Sequence, residues 1–260
     1  MMYSFPSSFI FEKKGHIAYM TLNRPEALNS VTLDMLDAFD EASRIINEDP
    51  DIYVAVITGT GDRAFCTGGD LKEAIPKNTS NGIEMGDPTK RIFSDVTKPI
   101  ISAINGHCLA GGAEIMLATD IRIASENATF GVPEVRWSLI PIGGACVNLA
   151  RQIPWARAME LLLIGDRISA QEAFQMNLIN RVVKQEDLMN TVEDIALRIC
   201  ENGPYAVRKV KEVVRRAYNM AWDEAYFTEY SVGKDVFSSE DAKEGPKAFA
   251  EKRKPIYQNR

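Results

Sequence analysis

Three short apolar runs, at residues 53–58, 99–105 and 121–124, restrict the possible folds more than any other feature of this chain. Each is rich in β-branched residues and too short for an ordinary globular helix. Their apolar character is continuous rather than alternating, so each is predicted to be a buried strand. Helical patterns lie between them. Ahead of them, residues 8–13 and 16–22 alternate apolar with polar across Lys14-Gly15, which suits a hairpin. Apolar residues then recur at Leu33, Leu36, Phe39, Ala42, Ile45 and Ile46, predicting an amphipathic helix that Ser30 or Thr32 could cap. Further on, Ser169-Ala170-Gln171-Glu172 has the form of a capping box, and Val182-Val183 end a last short strand. From Glu186 onward only helices are expected. Asn202-Gly203-Pro204 stops one of them, and Pro204 starts another that runs toward Met220. The pattern is a layered α/β core to about residue 200 with a helical tail, and no repeat or low-complexity linker divides it.

With 260 residues and 45% hydrophobic content, the chain can bury a sizeable core without staples. Cys66, Cys108, Cys146 and Cys200 are widely spaced, and His16 and His107 are the only histidines, which argues against a disulfide framework or a structural metal. The opening residues lack a basic start followed by a long apolar run, and no later stretch is long and apolar enough for a span. A cytoplasmic protein with no membrane partner is expected. A net charge of −6 opposes nucleic-acid binding. The one basic run, Arg208, Lys209, Lys211, Arg215 and Arg216, reads as a solvated helix face.

Three segments could carry chemistry. Phe65-Cys66-Thr67-Gly68-Gly69-Asp70-Leu71-Lys72 follows a predicted strand, and its adjacent glycines would let a ligand approach the main chain. Alone, it fits an ordinary glycine-rich loop as well. In Asn105-Gly106-His107-Cys108-Leu109-Ala110-Gly111-Gly112-Ala113-Glu114, a strand leads to a helix whose amino terminus would favour a developing oxyanion. Glu114 would sit one turn in, where it could equally just complement the helix dipole. Thr129-Phe130-Gly131-Val132-Pro133-Glu134-Val135 supplies a second carboxylate. Two carboxylates in one dry pocket would push one pKa up and give a proton donor and an acceptor, but spacing alone does not bring them together.

In order and spacing these segments resemble the enoyl-CoA hydratase/isomerase, or crotonase, family. The resemblance extends to Asn23-Arg24-Pro25-Glu26-Ala27-Leu28-Asn29, Lys98-Pro99, Gly165-Asp166-Arg167-Ile168-Ser169-Ala170 and the tail Ala248-Phe249-Ala250-Glu251-Lys252-Arg253. It implies an α/β crotonase-like spiral of ββα turns over residues 1–200, and a helical oligomerisation region over 201–260 that packs trimers or hexamers. It implies oxyanion-hole amides at Gly69 and Gly111, and catalytic glutamates at Glu114, as base toward water, and Glu134, as proton donor to the α-carbon. Coenzyme A, carried by the substrate, would lie against Arg24, Ala27, Leu28, Cys66, Gly68, Asp70, Leu71 and Lys72, with Phe249 and Lys252 from a neighbouring subunit. Neither a metal nor a separate cofactor is implied.

The implied activity is hydration of a 2-enoyl-CoA thioester. A Δ3,Δ2-enoyl-CoA isomerase is the nearest rival, although it commonly needs only the second glutamate. A related acyl-CoA dehydratase, similar to carnitinyl-CoA dehydratase, is another. A non-catalytic RNA-binding protein on the same scaffold is disfavoured by the acidic charge and the intact glutamates. Trp137-Ser138, Ile142 and Ala145-Cys146-Val147-Asn148 depart from the commonest family pattern where the acyl pocket is expected, so chain length and substituents stay open.

Overall fold

The computed structural model describes residues 4–70, 72, 80 and 87–259. Strands β1 (Phe9–Lys14) and β2 (Ile17–Leu22) pair antiparallel around Gly15, whose φ of +58° suits a residue without a side chain. The predicted apolar runs become β3 (Val54–Gly59), β5 (Ile100–Ile104) and β7 (Ile121–Ser125). With β10 (Arg181–Val183) they complete a six-stranded sheet in the order β1-β2-β3-β5-β7-β10, parallel from β2 onward. Both faces of this sheet are covered, which explains why its strands read as continuous apolar runs. Ala55 and Ile57 of β3 face the main core. Val54 and Val56 face the other way, packing with Leu188, Val192 and Ala196 of a later helix.

The second strand of each ββα turn, implied by the resemblance but not located by periodicity, belongs to a second sheet. Strands β4 (Ala64–Cys66), β6 (His107–Leu109), β8 (Thr129–Gly131) and β9 (Ile168–Ser169) are two or three residues each and lie in that order. From β3 to β8 the chain therefore winds as a spiral, each turn giving one strand to the large sheet and the next to the small one. In the turn β5, β6, α2 (Gly111–Leu117), a helix completes the unit. Asn105 ties successive turns together at the bend. Its Nδ2 donates to the Gly59 and Gly61 carbonyls at 2.8 and 2.7 Å, and its Oδ1 accepts from the Gly59 N–H at 3.2 Å.

Helix α1 (Leu33–Glu48) buries Met35, Phe39, Ala42, Ile45 and Ile46, but Leu36 is left 42% exposed, contrary to the periodicity. Thr32 occupies the cap position, yet its hydroxyl bonds the Asp34 side chain rather than a main-chain amide. Helices α3 (Ala145–Gln152) and α4 (Trp155–Ile164) precede α5 (Ala170–Gln175), where Ser169 and Glu172 form the expected capping box. Helix α6 (Leu188–Cys200) covers the large sheet.

The tail comprises α7 (Pro204–Ala217), α8 (Trp222–Phe237) and α9 (Glu240–Ala250). Here the basic run corrects the solvated-face reading. Lys211 is largely buried and donates to the Lys98 carbonyl at 2.8 Å and to Asp120 Oδ2 at 2.7 Å, while Arg215 reaches the Phe93 and Val96 carbonyls. Arg215 and Arg216 do stand exposed, Arg216 pairing with Glu212, whereas Lys209, which pairs with the same carboxylate, and Arg208, which reaches the Asn259 carbonyl, are half-buried. The tail is thus pinned to the core, yet Trp222, Phe227, Tyr230, Phe237 and Phe249 all stand more than 70% exposed on it. No helix among the described residues is long and apolar enough to cross a membrane.

Candidate active site

Two glycine-bearing bends, one after β4 and one after β6, bring unused main-chain donors together. Gly68 takes φ +101°, and a Cβ there would also lie 2.8 Å from the Ala110 Cβ, so the position requires glycine on both counts. The Val31 N–H donates to the Gly68 carbonyl and the Asp70 N–H to the Val31 carbonyl, each at 2.8 Å, passing over the Gly69 N–H between them. On the neighbouring bend, the Ala110 N–H is held by the Gly131 carbonyl at 2.9 Å while Ala110 takes φ +52°. That angle is costly for alanine and sets the direction of the next peptide. Gly111 follows as the first residue of α2. A Cβ built on Gly111 would lie 3.6 Å from the Gly69 nitrogen, so the two N–H groups share one small space. Neither has an acceptor among the described residues. The close approach depends on Gly112, where a Cβ would stand 2.2 Å from the Cys66 carbonyl oxygen.

Glu114 lies on α2 with its carboxylate against the 143–145 segment. The Ala145 N–H donates to Glu114 Oε1 at 3.1 Å, and a Cβ on Gly143 would fall 2.4 Å from Oε2. Burial raises the Glu114 pKa, while the amides of Ala145, Gly143 and Gly144 and the charge of Arg91 pull it back down. Glu134 sits in the 3-10 turn Pro133–Trp137. Its carboxyl is pushed up to about 7, first by burial and also by the negative charge of Glu114, with its own amide opposing. Its Oε2 is buried and accepts no hydrogen bond from the described residues. The charge of Glu114 thus reaches the Glu134 carboxyl, which places the two in one electrostatic neighbourhood. Amide donors favour the ionised form at Glu114, and their scarcity favours the protonated form at Glu134. Burial, and after it the nearby Glu114 and Glu134 carboxyls, raise the Cys146 thiol.

The remaining residues divide into two groups. Arg24 Nη1 donates to Asp70 Oδ2 at 3.0 Å and to the Ser30 carbonyl at 2.8 Å, and the Lys72 amide, then Arg24 and Ser30, hold the Asp70 carboxyl below its usual range. Ala27 and Leu28 complete the same rim beside Thr67, whose hydroxyl donates to the Leu28 carbonyl at 3.3 Å, and Lys72 is exposed. Cys66 is fully buried and packed under Gly112, so it lies beneath this rim rather than on it. Leu71 lies outside the described residues. Phe249 and Lys252 sit in the tail, and among the described residues no hydrogen bond or ion pair joins them to Arg24, Asp70 or Lys72. Sequence reasoning missed the 143–145 amides that hold Glu114, although the adjacent glycines 143 and 144 were a visible signal. Arg91 carried none.

Comparison with known proteins supplies a family. The family described as enoyl-CoA hydratase/isomerase matches residues 12–260. The chain is 42% identical over 257 residues to an enoyl-CoA hydratase of Mycobacterium tuberculosis, EchA19, covering 96% of each chain. It is 37% identical to a carnitinyl-CoA dehydratase of Salmonella enteritidis, covering 95% of this chain and 97% of the relative. Among solved structures, an enoyl-CoA hydratase from Mycobacterium tuberculosis superposes with a TM-score of 0.90 at 33% identity, covering 98% of this chain and all of the other.

Proposed function

Since this chain belongs to the enoyl-CoA hydratase/isomerase family, we propose that it adds water reversibly across the 2,3 double bond of a 2-enoyl-CoA. The observation that carries this reading is the pair Glu114 and Glu134, two half-buried carboxyls that burial raises unequally: amides at 143–145 and the charge of Arg91 offset it at Glu114, whereas Glu134 is pushed up to about 7. Ionised Glu114 takes a proton from water as the oxygen attacks the β-carbon. Protonated Glu134 delivers a proton to the α-carbon. Charge that develops on the thioester oxygen is received by the Gly69 and Gly111 N–H groups, each such donor typically being worth about 10²–10³ in rate. Positioned acid–base groups add roughly 10²–10⁴. In the reverse direction the two carboxyls exchange roles, and the pair keeps one proton throughout.

Coenzyme A arrives as part of the substrate, and no other cofactor enters the mechanism. Its handle lies along Arg24, Ala27, Leu28, Gly68, Asp70, Leu71 and Lys72, with Phe249 and Lys252 reaching in from a neighbouring subunit. The exposed aromatic residues of the tail support a trimer or hexamer, since a monomer would leave them in water. The free thiols fit a cytoplasmic setting. Likeness to a carnitinyl-CoA dehydratase favours one second reading, the same chemistry run as dehydration of a hydroxylated acyl-CoA. Incubation with 2-enoyl-, 3-enoyl- and 3-hydroxyacyl-CoA thioesters and chromatographic identification of products separates this chemistry, in either direction, from isomerisation. Interconversion of the 2-enoyl and 3-hydroxyacyl forms is expected. Conversion of 3-enoyl to 2-enoyl alone would establish an isomerase instead.

A further inference from the structure

A cavity of about 490 Å³, within the size range of small-ligand sites, lies against Gly144 and Cys146, on the segment whose Ala145 amide holds the Glu114 carboxylate. Its lining is divided. Ile142, Cys146 and Val147 offer apolar or weakly polar surface, whereas Thr89, Arg91 and Asn148 offer hydrogen-bonding groups. Gly143 and Gly144 connect it to the chemistry. A Cβ on Gly143 would meet Glu114 Oε2, and one on Gly144 would lie 3.1 Å from Asn148 Nδ2 and 3.8 Å from Arg91 Cγ. Consecutive Cα atoms are about 3.8 Å apart, so the polar end stands only a few carbon atoms beyond Glu114.

The Arg91 side chain is oriented by its own loop. Its Nη1 donates to the Pro88 and Lys90 carbonyls at 2.8 and 2.6 Å. Its Nε and Nη2, and the side-chain amide of Asn148, have no partner among the described residues, and Arg91 forms no ion pair there. A half-buried guanidinium fixed in this way matches a carboxylate, which can accept two parallel hydrogen bonds from it. A plain hydrocarbon tail would instead cover those donors without pairing them, at a cost. Arg91 also projects its positive charge as far as Glu114, consistent with its place at the cavity wall.

We infer that this cavity selects 2-enoyl-CoA substrates whose acyl chain ends in a carboxylate, received by Arg91 with Asn148 beside it. This rests on the hydratase reading and adds the substrate class to it. The test compares matched 2-enoyl-CoA pairs of five to eight carbons, one member of each pair ending in a methyl group and the other in a carboxylate. The intact enzyme should favour the carboxylate in kcat/KM by at least about tenfold at one or more lengths, as one charge-assisted hydrogen bond can supply. In Arg91→Met that ratio should fall to near or below one, and Arg91→Lys should retain part of it. Because the readout is a ratio, a general loss of activity or stability cancels. Preference for the methyl-ended chain at every length, or a carboxylate preference that survives Arg91→Met, would overturn the inference. Calorimetric binding of the corresponding saturated thioesters reads the pocket without turnover. Retained carboxylate selectivity there, with no hydration of any enoyl chain, would remove the hydratase reading and leave the pocket standing.

Discussion

Glu134→Gln should make the protein more stable, and increasingly so as the pH rises. The Glu134 carboxyl titrates at about 7 in the folded protein against an ordinary value of 4.5, chiefly because it is buried. Below 4.5 both folded and unfolded chains hold the proton. Between 4.5 and 7 the folded chain holds it and the unfolded chain has released it, so stability falls as pH rises through that window. Above 7 the folded chain carries the whole penalty. At about 1.4 kcal/mol per pH unit the ceiling is about 3 kcal/mol, and solvent access to this partly exposed carboxyl reduces it to roughly 1–2 kcal/mol. Glutamine does not titrate, so any fixed effect of its amide is the same at every pH. For a chain of this size the stability difference corresponds to about 2–4 °C in Tm for each kcal/mol. Thermal scans of both proteins from pH 4.5 to pH 8 should show the variant gaining roughly 2–8 °C over the parent across that range. Glu114→Gln should gain less, because amides offset the burial of Glu114. A parent–variant gap that stays flat, or that closes as pH rises, would refute the assignment of a buried, proton-holding Glu134.

Gly112→Ala forces a Cβ to within 2.2 Å of the Cys66 carbonyl, and relief requires helix α2 to part from β4. Overpacking of this kind costs about 1–3 kcal/mol, and hydratase kcat should drop with Tm because the Gly69 and Gly111 donors separate; unchanged values of both would contradict the geometry. Lys211→Ala removes the donor that ties α7 to Asp120 and the Lys98 carbonyl. A loss of roughly 2–3 kcal/mol is expected in thermal or denaturant unfolding, below the range for fully buried pairs since Asp120 is partly solvated. Light scattering at micromolar concentration should give the mass of a trimer or hexamer, and a stable monomer would contradict the role given to the exposed aromatic tail.

What the sequence made legible follows from the range of the forces involved. The hairpin around Gly15, helix α1 and the Ser169–Glu172 capping box are local, and their signals lie within a few residues. The buried strands of the large sheet were legible because two covered faces leave continuous apolar runs. Strands β4, β6, β8 and β9 were not, since two or three residues cannot establish a period. Lys211 looked like a solvated cation, and the ties of the exposed Arg215 to the core were invisible, because their acceptors, at Lys98, Asp120, Phe93 and Val96, lie some 90 to 120 residues earlier in the chain. The family resemblance named Gly69, Gly111, Glu114 and Glu134 one by one. Their proximity, and the 143–145 amides that distinguish the two carboxyls, are products of the spiral.

The central claim is that two carboxyls, in different protonation states, share the hydration chemistry. Glu114→Gln and Glu134→Gln, each assayed against a 2-enoyl-CoA and a 3-enoyl-CoA with products separated by chromatography, test it most directly. Glu114→Gln keeps the shape of the side chain and removes the base, so hydration should fall by about 10²-fold or more, the range for positioned acid–base groups. Any slow 3-enoyl isomerisation should suffer less, because Glu134 in its ionised form can still take the α-proton and return it to the γ-carbon, whereas Glu134→Gln should impair both reactions. Full hydration by the Glu114→Gln enzyme, with its fold intact by circular dichroism, would contradict the two-carboxylate mechanism.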